Sequence, residues 1–168
     1  MGLIEQLSSK KDAVINAWFA RVVDTYPAET ARFLRSQSDL FANPVGQTTL
    51  RSLRVLVDML EADLDPKAVR EALDPILRIR AIQAFSPTQA VRFVFDLKNI
   101  IDEALPADIK NAAEMRRIDQ RIDEMALAAF DIFVQCREKI YDLKANETKS
   151  RTFKAFAKAG LIKESSDE

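Results

Sequence analysis

Apolar residues recur every three or four positions along most of the chain, which is the period of an amphipathic α-helix. In the first third, this pattern predicts helices over residues 2–10, 11–25, 28–34 and 48–60. Residues 36–46 form the longest irregular stretch, and Asn43-Pro44 followed by Gly46 is typical of a turn. Leu40 and Phe41 favour a loop that is attached to the core.

Proline residues mark the next helix boundaries. Asp65 before Pro66 is a typical N-cap followed by a first-turn proline, and it predicts that a helix begins there. Asp74-Pro75 repeats the arrangement, and because Pro75 lacks a backbone donor it predicts a kink or a break. The chain then reaches Ser86-Pro87, with Gln89 three residues after Ser86, the spacing of a capping box.

The helix predicted after Ser86 is apolar on most of its circumference. Its apolar residues are Val91, Phe93, Val94, Phe95, Leu97, Ile100, Ile101 and Leu105. A helix of this kind must be covered on several sides, so we expect it to be a central element of an all-helical domain.

A single long helix is predicted for the last part of the chain, because no proline or glycine occurs between Ala107 and Ala159. At roughly 40 residues and 1.5 Å per residue, it is longer than one small domain. Its first half has charged flanks, so we expect it to project from the domain or to form a seam with a second chain. The seam residues are Ile109, Met115, Ile118, Ile122 and Met125. The second half has a wider apolar face, so we expect it to lie in the domain.

Composition limits the classes of function. The 168 residues suit one domain, which we place at 1–145, followed by a polar, partly disordered tail at 146–168. A net charge of -1 gives no reason to expect nucleic acid or an anionic membrane as partner. No apolar run reaches about 18 residues, so we expect a cytoplasmic protein.

Histidine is absent, which removes the commonest general base and zinc ligand. A Ser-His-Asp or Cys-His catalytic arrangement is therefore excluded. Cys136 is the only cysteine and cannot form an internal disulfide. We expect no enzyme activity and no cofactor, with haem ligation by Cys136 as an alternative that a Soret band would reveal.

Two sets of residues are candidates for binding. Phenylalanines could line a pocket for a fatty acid or a similar apolar molecule, although phenylalanines in cores often only pack. They are Phe19, Phe41, Phe85, Phe93, Phe95 and Phe130. Arg78, Arg80 and Arg92 flank the corner at Ser86 and could hold an anion at a helix N-terminus, or could pair with surface carboxylates.

Three segments together resemble a known family. They are Trp18 in the second helix, Phe33-Leu34 with residues 39–46 (DLFANPVG), and above all residues 77–87 (LRIRAIQAFSP). They resemble the N-terminal domain of RsbT co-antagonist proteins (RsbR and RsbRD types) over roughly Leu3 to Lys144.

The resemblance implies a globin-like helical sensor domain that dimerises and lacks haem. In stressosome proteins such a domain passes signals to the partner-switching control of a sigma factor. Full-length members continue into a STAS domain, for which residues 146–168 are too few. We therefore expect a homodimeric sensor or adaptor that acts on a downstream regulatory protein.

Overall fold

The computed structural model describes residues 2–36, 42–83 and 85–162, except for the side chain of Ile109. Within these ranges the chain is all-α, as predicted, with seven α-helices, one 3-10 turn and no strand. The helices are α1 (Leu3–Ser9), α2 (Lys11–Asp24), α3 (Ala28–Ser36), α4 (Pro44–Glu61), α5 (Pro66–Ile82), α6 (Pro87–Ala104) and α7 (Ala112–Lys158). The 3-10 turn at Ala107–Ile109 connects α6 to α7.

The core forms where α7 packs against α5 and α6, and where α2 packs against α6 and α4. Trp18 of α2 is fully buried, and its indole N–H donates to the carbonyl of Phe93 in α6 at 2.7 Å. The two rings are also stacked, with centroids 6.1 Å apart. Trp18 is therefore the core anchor that its helical spacing predicts.

Two predicted helix starts are confirmed. The Ser86 hydroxyl accepts from the backbone N–H of Gln89, and the Gln89 side chain accepts from the backbone N–H of Ser86. Asp65 caps α5 by accepting from the backbone N–H of Lys67. Each contact satisfies a donor that the first turn of a helix leaves free.

The turn predicted at Asn43-Pro44 is instead the start of α4, which begins four residues before the predicted Thr48. Asn43 is buried, accepts from the N–H of Gly46 at 2.8 Å and donates to the carbonyl of Leu34 at 2.8 Å. Its side chain thus caps α4 and satisfies a carbonyl of α3. Phe41 and Leu40 lie outside the described residues.

The break predicted at Pro75 does not occur, since α5 continues as one helix from Pro66 to Ile82. Leu73, Ile76 and Leu77 are all buried in the core on either side of the proline. Tertiary packing of this apolar face outweighs the loss of one backbone hydrogen bond.

The prediction for the first half of the long helix is wrong, whereas the second half begins in the core, with Ile132 and Phe133 buried, and then leaves it. Ile118, Ile122 and Met125 are buried in the chain's own core, and Met115 packs against it. These residues therefore pack in the chain's own core, and the buried ones leave little apolar surface for a seam with another chain. Residues 141–162 of the second half contain no buried residue. The helix also continues to Lys158, past the predicted domain boundary at 145.

None of the helices in the described part of the chain has the length and apolar character required to span a bilayer.

Candidate functional site

A buried arginine lies at the junction of α2, α5 and α6. Arg80 of α5 has no exposed surface. Its Nη2 donates to the hydroxyl of Thr25 at 2.9 Å and to the carbonyl of Val22 at 3.4 Å. Its Nη1 donates to the carbonyls of Gln89 and Ala90 at 3.1 and 3.4 Å. The guanidinium therefore joins three helices.

Three aromatic rings surround the same guanidinium. Its central carbon lies 4.9 Å from the ring centroids of Phe85 and Phe93 and 5.5 Å from that of Tyr26. These distances are within the range of cation–π attraction. Tyr26 and Phe85 also contact each other edge to face, at 5.5 Å. The rings thus shield the charge of Arg80 from water.

Burial changes the acidity of this cluster. Desolvation lowers the pKa of Arg80, and the neighbouring Tyr26 partly opposes that change. The same burial raises the pKa of the Tyr26 phenol, and the nearby Arg80 charge limits the rise. Arginine remains charged even so at neutral pH. Among the described residues, no carboxylate forms an ion pair with Arg80.

A cavity of about 550 Å³ lies directly against this cluster. Its lining residues are Thr25, Tyr26, Pro27, Thr30, Gln83, Phe85, Gln89, Arg92 and Asp96. Thr25, Tyr26, Phe85 and Gln89 both line the cavity and contact Arg80. The buried cation therefore lies just behind the cavity wall.

A second feature is an apolar patch on the outer face of α6 and α7. It consists of Val91 and Phe95 from α6 and Ala126, Leu127 and Phe130 from α7, and we call it the α6–α7 patch. Phe95, Leu127 and Phe130 are 46, 69 and 49% exposed. Phe95 is therefore not covered within the chain, contrary to what the apolar pattern of α6 predicts.

A stripe of mostly small or apolar residues continues from this patch along the exposed length of α7. The stripe consists of Leu127, Phe130, Val134, Tyr141, Ala145, Thr148, Thr152 and Phe156. Successive members are three, four or seven positions apart, so they share one face of the helix. We call this set the α7 stripe.

The six candidate pocket phenylalanines do not come together. Phe93 is buried in the core, and Phe19 is partly buried between the two apolar clusters. Phe85 lines the cavity beside Arg80, whereas Phe95 and Phe130 belong to the α6–α7 patch. Phe41 is outside the described residues. An apolar binding role for them remains a prediction.

The three candidate anion-binding arginines are also distributed. Arg80 is buried, and Arg92 lines the neighbouring cavity. Arg78 is on another face, paired with Asp74 one helical turn away. Cys136 lies near Arg78, and burial raises the pKa of its thiol, which therefore stays protonated at neutral pH.

The sequence did not point to Tyr26, Gln83 or Leu127. Tyr26 follows α2 and Gln83 follows α5, at helix ends where periodicity gives no direction, and both line the cavity. Leu127 could have been found from its spacing. It is out of register with the buried residues Ile118, Ile122 and Met125 and therefore lies on a second face of α7.

Comparison with known proteins identifies this helical domain as a regulatory one. The family model described as the RsbT co-antagonist protein RsbRD N-terminal domain matches residues 12–148. The chain belongs to this family, which confirms the resemblance carried by residues 77–87. The family is one of regulatory signalling domains.

The chain is also similar to a protein of Archaeoglobus fulgidus that is called an uncharacterized protein. The two are 26% identical over 139 residues, which cover 80% of this chain and 82% of the archaeal protein. No solved structure matches the chain significantly.

Proposed function

We propose that the chain is a non-enzymatic, homodimeric sensor or adaptor domain with a globin-like arrangement of helices. It acts in the cytoplasm and passes a signal along α7 to a downstream regulatory protein, as in stressosome-type control of a sigma factor. The membership in the RsbRD N-terminal family supports a regulatory role. The helical bundle supplies the core, and α7 supplies the output.

The observation that carries this proposal is the exposed apolar face shared by α6 and α7. The α6–α7 patch and the α7 stripe form one continuous surface, and Phe130 belongs to both. Large apolar side chains left in water lose the stabilisation of burial, about 25 cal/mol per Å². Adjacent exposed aromatic and aliphatic side chains are therefore typical of an interface.

A second copy of the chain suits this surface best. The members of the α7 stripe lie on one face of the helix, so two α7 helices can pair along it. Residues 141–158 are helical but make no buried contact in one chain, and helices gain most of their stability from packing. Pairing with a second α7 supplies that packing.

The same surface explains how a signal can leave the domain. Because α7 packs on α5 and α6 and then continues as an exposed helix, a change in core packing alters the geometry of the paired helices. A ligand can produce such a change only if it binds the two arrangements with unequal affinity.

Light scattering on the purified chain tests the dimer, with Phe130→Glu as the disrupting variant. Phe33→Glu is the matched control, since Phe33 is 48% exposed and Phe130 is 49% exposed, but Phe33 is on α3, away from the patch. We expect a dimer for the natural chain and for Phe33→Glu, and a monomer for Phe130→Glu. A natural chain that is monomeric at tens of micromolar contradicts the proposal.

A carrier or sensor of an apolar ligand is the second candidate function. The position of Phe85 in the wall of the 550 Å³ cavity favours it. Native mass spectrometry of the purified chain distinguishes a retained ligand from a ligand-free dimer.

A further inference from the structure

We propose that the cavity beside Arg80 binds a small organic acid, a carboxylate attached to a compact apolar body. The carboxylate lies towards Arg92 and the buried Arg80, and the body packs against Tyr26, Pro27 and Phe85. This binding site deepens the proposed sensor function. It depends on that function only in so far as the bound acid is the signal that the domain senses.

Charge is the first argument. Arg92 and Asp96 carry opposite charges at the rim of the cavity and offset each other. Arg80, behind the wall, has no acidic partner among the described residues, so it leaves one positive charge unbalanced. An unbalanced charge away from water acts strongly on its neighbours because screening there is weak. The cavity therefore favours an anion over a neutral molecule of the same shape.

Unpaired polar atoms are the second argument. Arg80 Nε and Gln83 Oε1 are both buried with no hydrogen-bond partner. Glu61 Oε1 is the other side-chain atom of this kind in the described part of the chain. Gln83 lines the cavity, and Arg80 contacts residues of its wall, so both unsatisfied groups belong to side chains in or next to the cavity wall. Buried polar groups are normally paired, and such a concentration is typical of a ligand site.

Shape and chemistry of the wall define the rest of the ligand. Pro27 and the rings of Tyr26 and Phe85 give the cavity an apolar side. Its volume of about 550 Å³ is within the range of small-molecule sites. A hydroxyl on the ligand can donate to Gln83 Oε1. Inorganic phosphate lacks the apolar body and uses only half of the site.

The position of the cavity couples its occupant to α7. Arg80 contacts Thr25 in α2 and Gln89 in α6 while belonging to α5, and both α5 and α6 pack on α7. An anion that draws Arg80 towards the cavity changes the contacts between these helices. The bound acid thus acts on the elements that support the output helix.

Isothermal titration calorimetry on the full chain tests the site with five probes: benzoate, 4-hydroxybenzoate, octanoate, benzamide and inorganic phosphate. We expect benzoate or octanoate to bind at about 10 mM or below, and benzamide to bind at least tenfold more weakly than benzoate. Tighter binding of octanoate assigns a chain-type acid, and tighter binding of benzoate assigns a ring-type acid. Both results support the proposal.

Two variants locate the binding. Arg92→Gln removes the rim charge and should weaken carboxylate binding at least fivefold, whereas Arg51→Gln, an exposed arginine of α4, is the matched control and should leave it unchanged. Thr30→Trp fills the cavity from exposed α3 and should abolish binding without touching Arg80.

Several results overturn the site: no carboxylate binding at 10 mM, equal binding of benzamide, binding of phosphate only, or equal effects of Arg92→Gln and Arg51→Gln. Light scattering on the same samples separates this inference from the proposed function. A dimer that binds no acid refutes the site alone, while a monomer that binds benzoate supports the site and refutes the dimer.

Discussion

The contact between Asn43 and Gly46 depends on the absence of a single side chain. A Cβ atom at Gly46 would lie 2.2 Å from Nδ2 and 2.7 Å from Cγ of Asn43, which is closer than real Cβ atoms approach. The Asn43 side chain caps α4 and also donates a hydrogen bond to the carbonyl of Leu34. Glycine at position 46 is therefore required by packing around Asn43.

Gly46→Ala should lower the free energy of unfolding by about 1–3 kcal/mol, because it displaces a cap and leaves a buried carbonyl without its partner. Urea denaturation measures the change. Gly2→Ala is the matched control, since nothing lies within 4 Å of a Cβ there, and as an exposed N-cap change it should cost less than about 1 kcal/mol. Equal effects of the two substitutions would contradict the packing argument.

Tyr26 makes stability depend on pH in the alkaline range. Burial raises the pKa of its phenol in the folded chain above the usual value of about 10. Below about pH 10 the phenol of Tyr26 is protonated in both the folded and the unfolded chain, so its contribution to the free energy of unfolding does not change with pH. As the pH rises beyond it, the unfolded chain releases the proton first, and the free energy of unfolding falls.

Tyr26→Phe should therefore flatten the loss of stability between pH 9 and 11, measured by urea denaturation at each pH. Tyr141→Phe, at an exposed tyrosine of α7, is the control and should keep the slope of the natural chain. If the natural chain and both variants lose stability with pH at the same rate, the pKa of Tyr26 is not higher in the folded chain than in the unfolded chain, and the prediction is wrong.

Local capping residues were predictable from the sequence, whereas the surroundings of Arg80 were not. Ser86 with Gln89, and Asp65 before Pro66, identify helix starts because all partners are within three residues. Arg80 obtains its partners from α2 and α6, 55 and 9 residues away, and no periodicity reports such distant contacts. The sequence named Arg80 and Arg92 as candidates but could not show that Arg92 lines a cavity and that Arg80 lies behind its wall.

Among the elements, α7 combines two environments in one continuous helix. From Ile118 to Phe133 it is part of the core, and from Tyr141 it is exposed. The sequence predicted one long helix, since no glycine or proline interrupts it, but the helix extends to Lys158, beyond the predicted boundary at 145. It misplaced the exposed half, because the charged run from Glu114 to Glu124 resembles the solvated flanks of a seam, yet the apolar residues within that run pack in the chain's own core.

Removal of residues 146–168 should leave the domain stable, since the deleted helix makes no buried contact with it. In the Phe130→Glu background, which isolates one chain, we expect a change in unfolding free energy of less than about 0.5 kcal/mol. Urea denaturation measures it, and circular dichroism reports the lost helix. A decrease above 2 kcal/mol would mean that the distal part of α7 contacts its own domain.

For the whole molecule, dimerisation and folding should be linked. If α6 and α7 pair with a second copy, mass action stabilises the folded state as concentration rises. A hundredfold increase in concentration is equivalent to about 2.7 kcal/mol and should raise the melting temperature by several degrees. Scanning calorimetry from micromolar to hundreds of micromolar measures this.

Phe130→Glu should abolish that dependence, while Phe33→Glu should keep it. A melting temperature of the natural chain that does not change with concentration would argue against a dimer held together by the α6–α7 patch. Arg92 borders this patch as well as the cavity, so an acid in the cavity and a second chain on the patch would meet at one side chain.

The uninterrupted course of α7 has a mechanical consequence. From Phe133, the last buried residue of the helix, to its end at Lys158 the helix extends for about 38 Å at 1.5 Å per residue. Such a rod is a lever whose fulcrum is the core. A tilt of α7 by about 5° at the core moves its far end by roughly 3 Å, about the width of one side chain. A rearrangement too small to disturb the bundle therefore produces a displacement that another protein can distinguish.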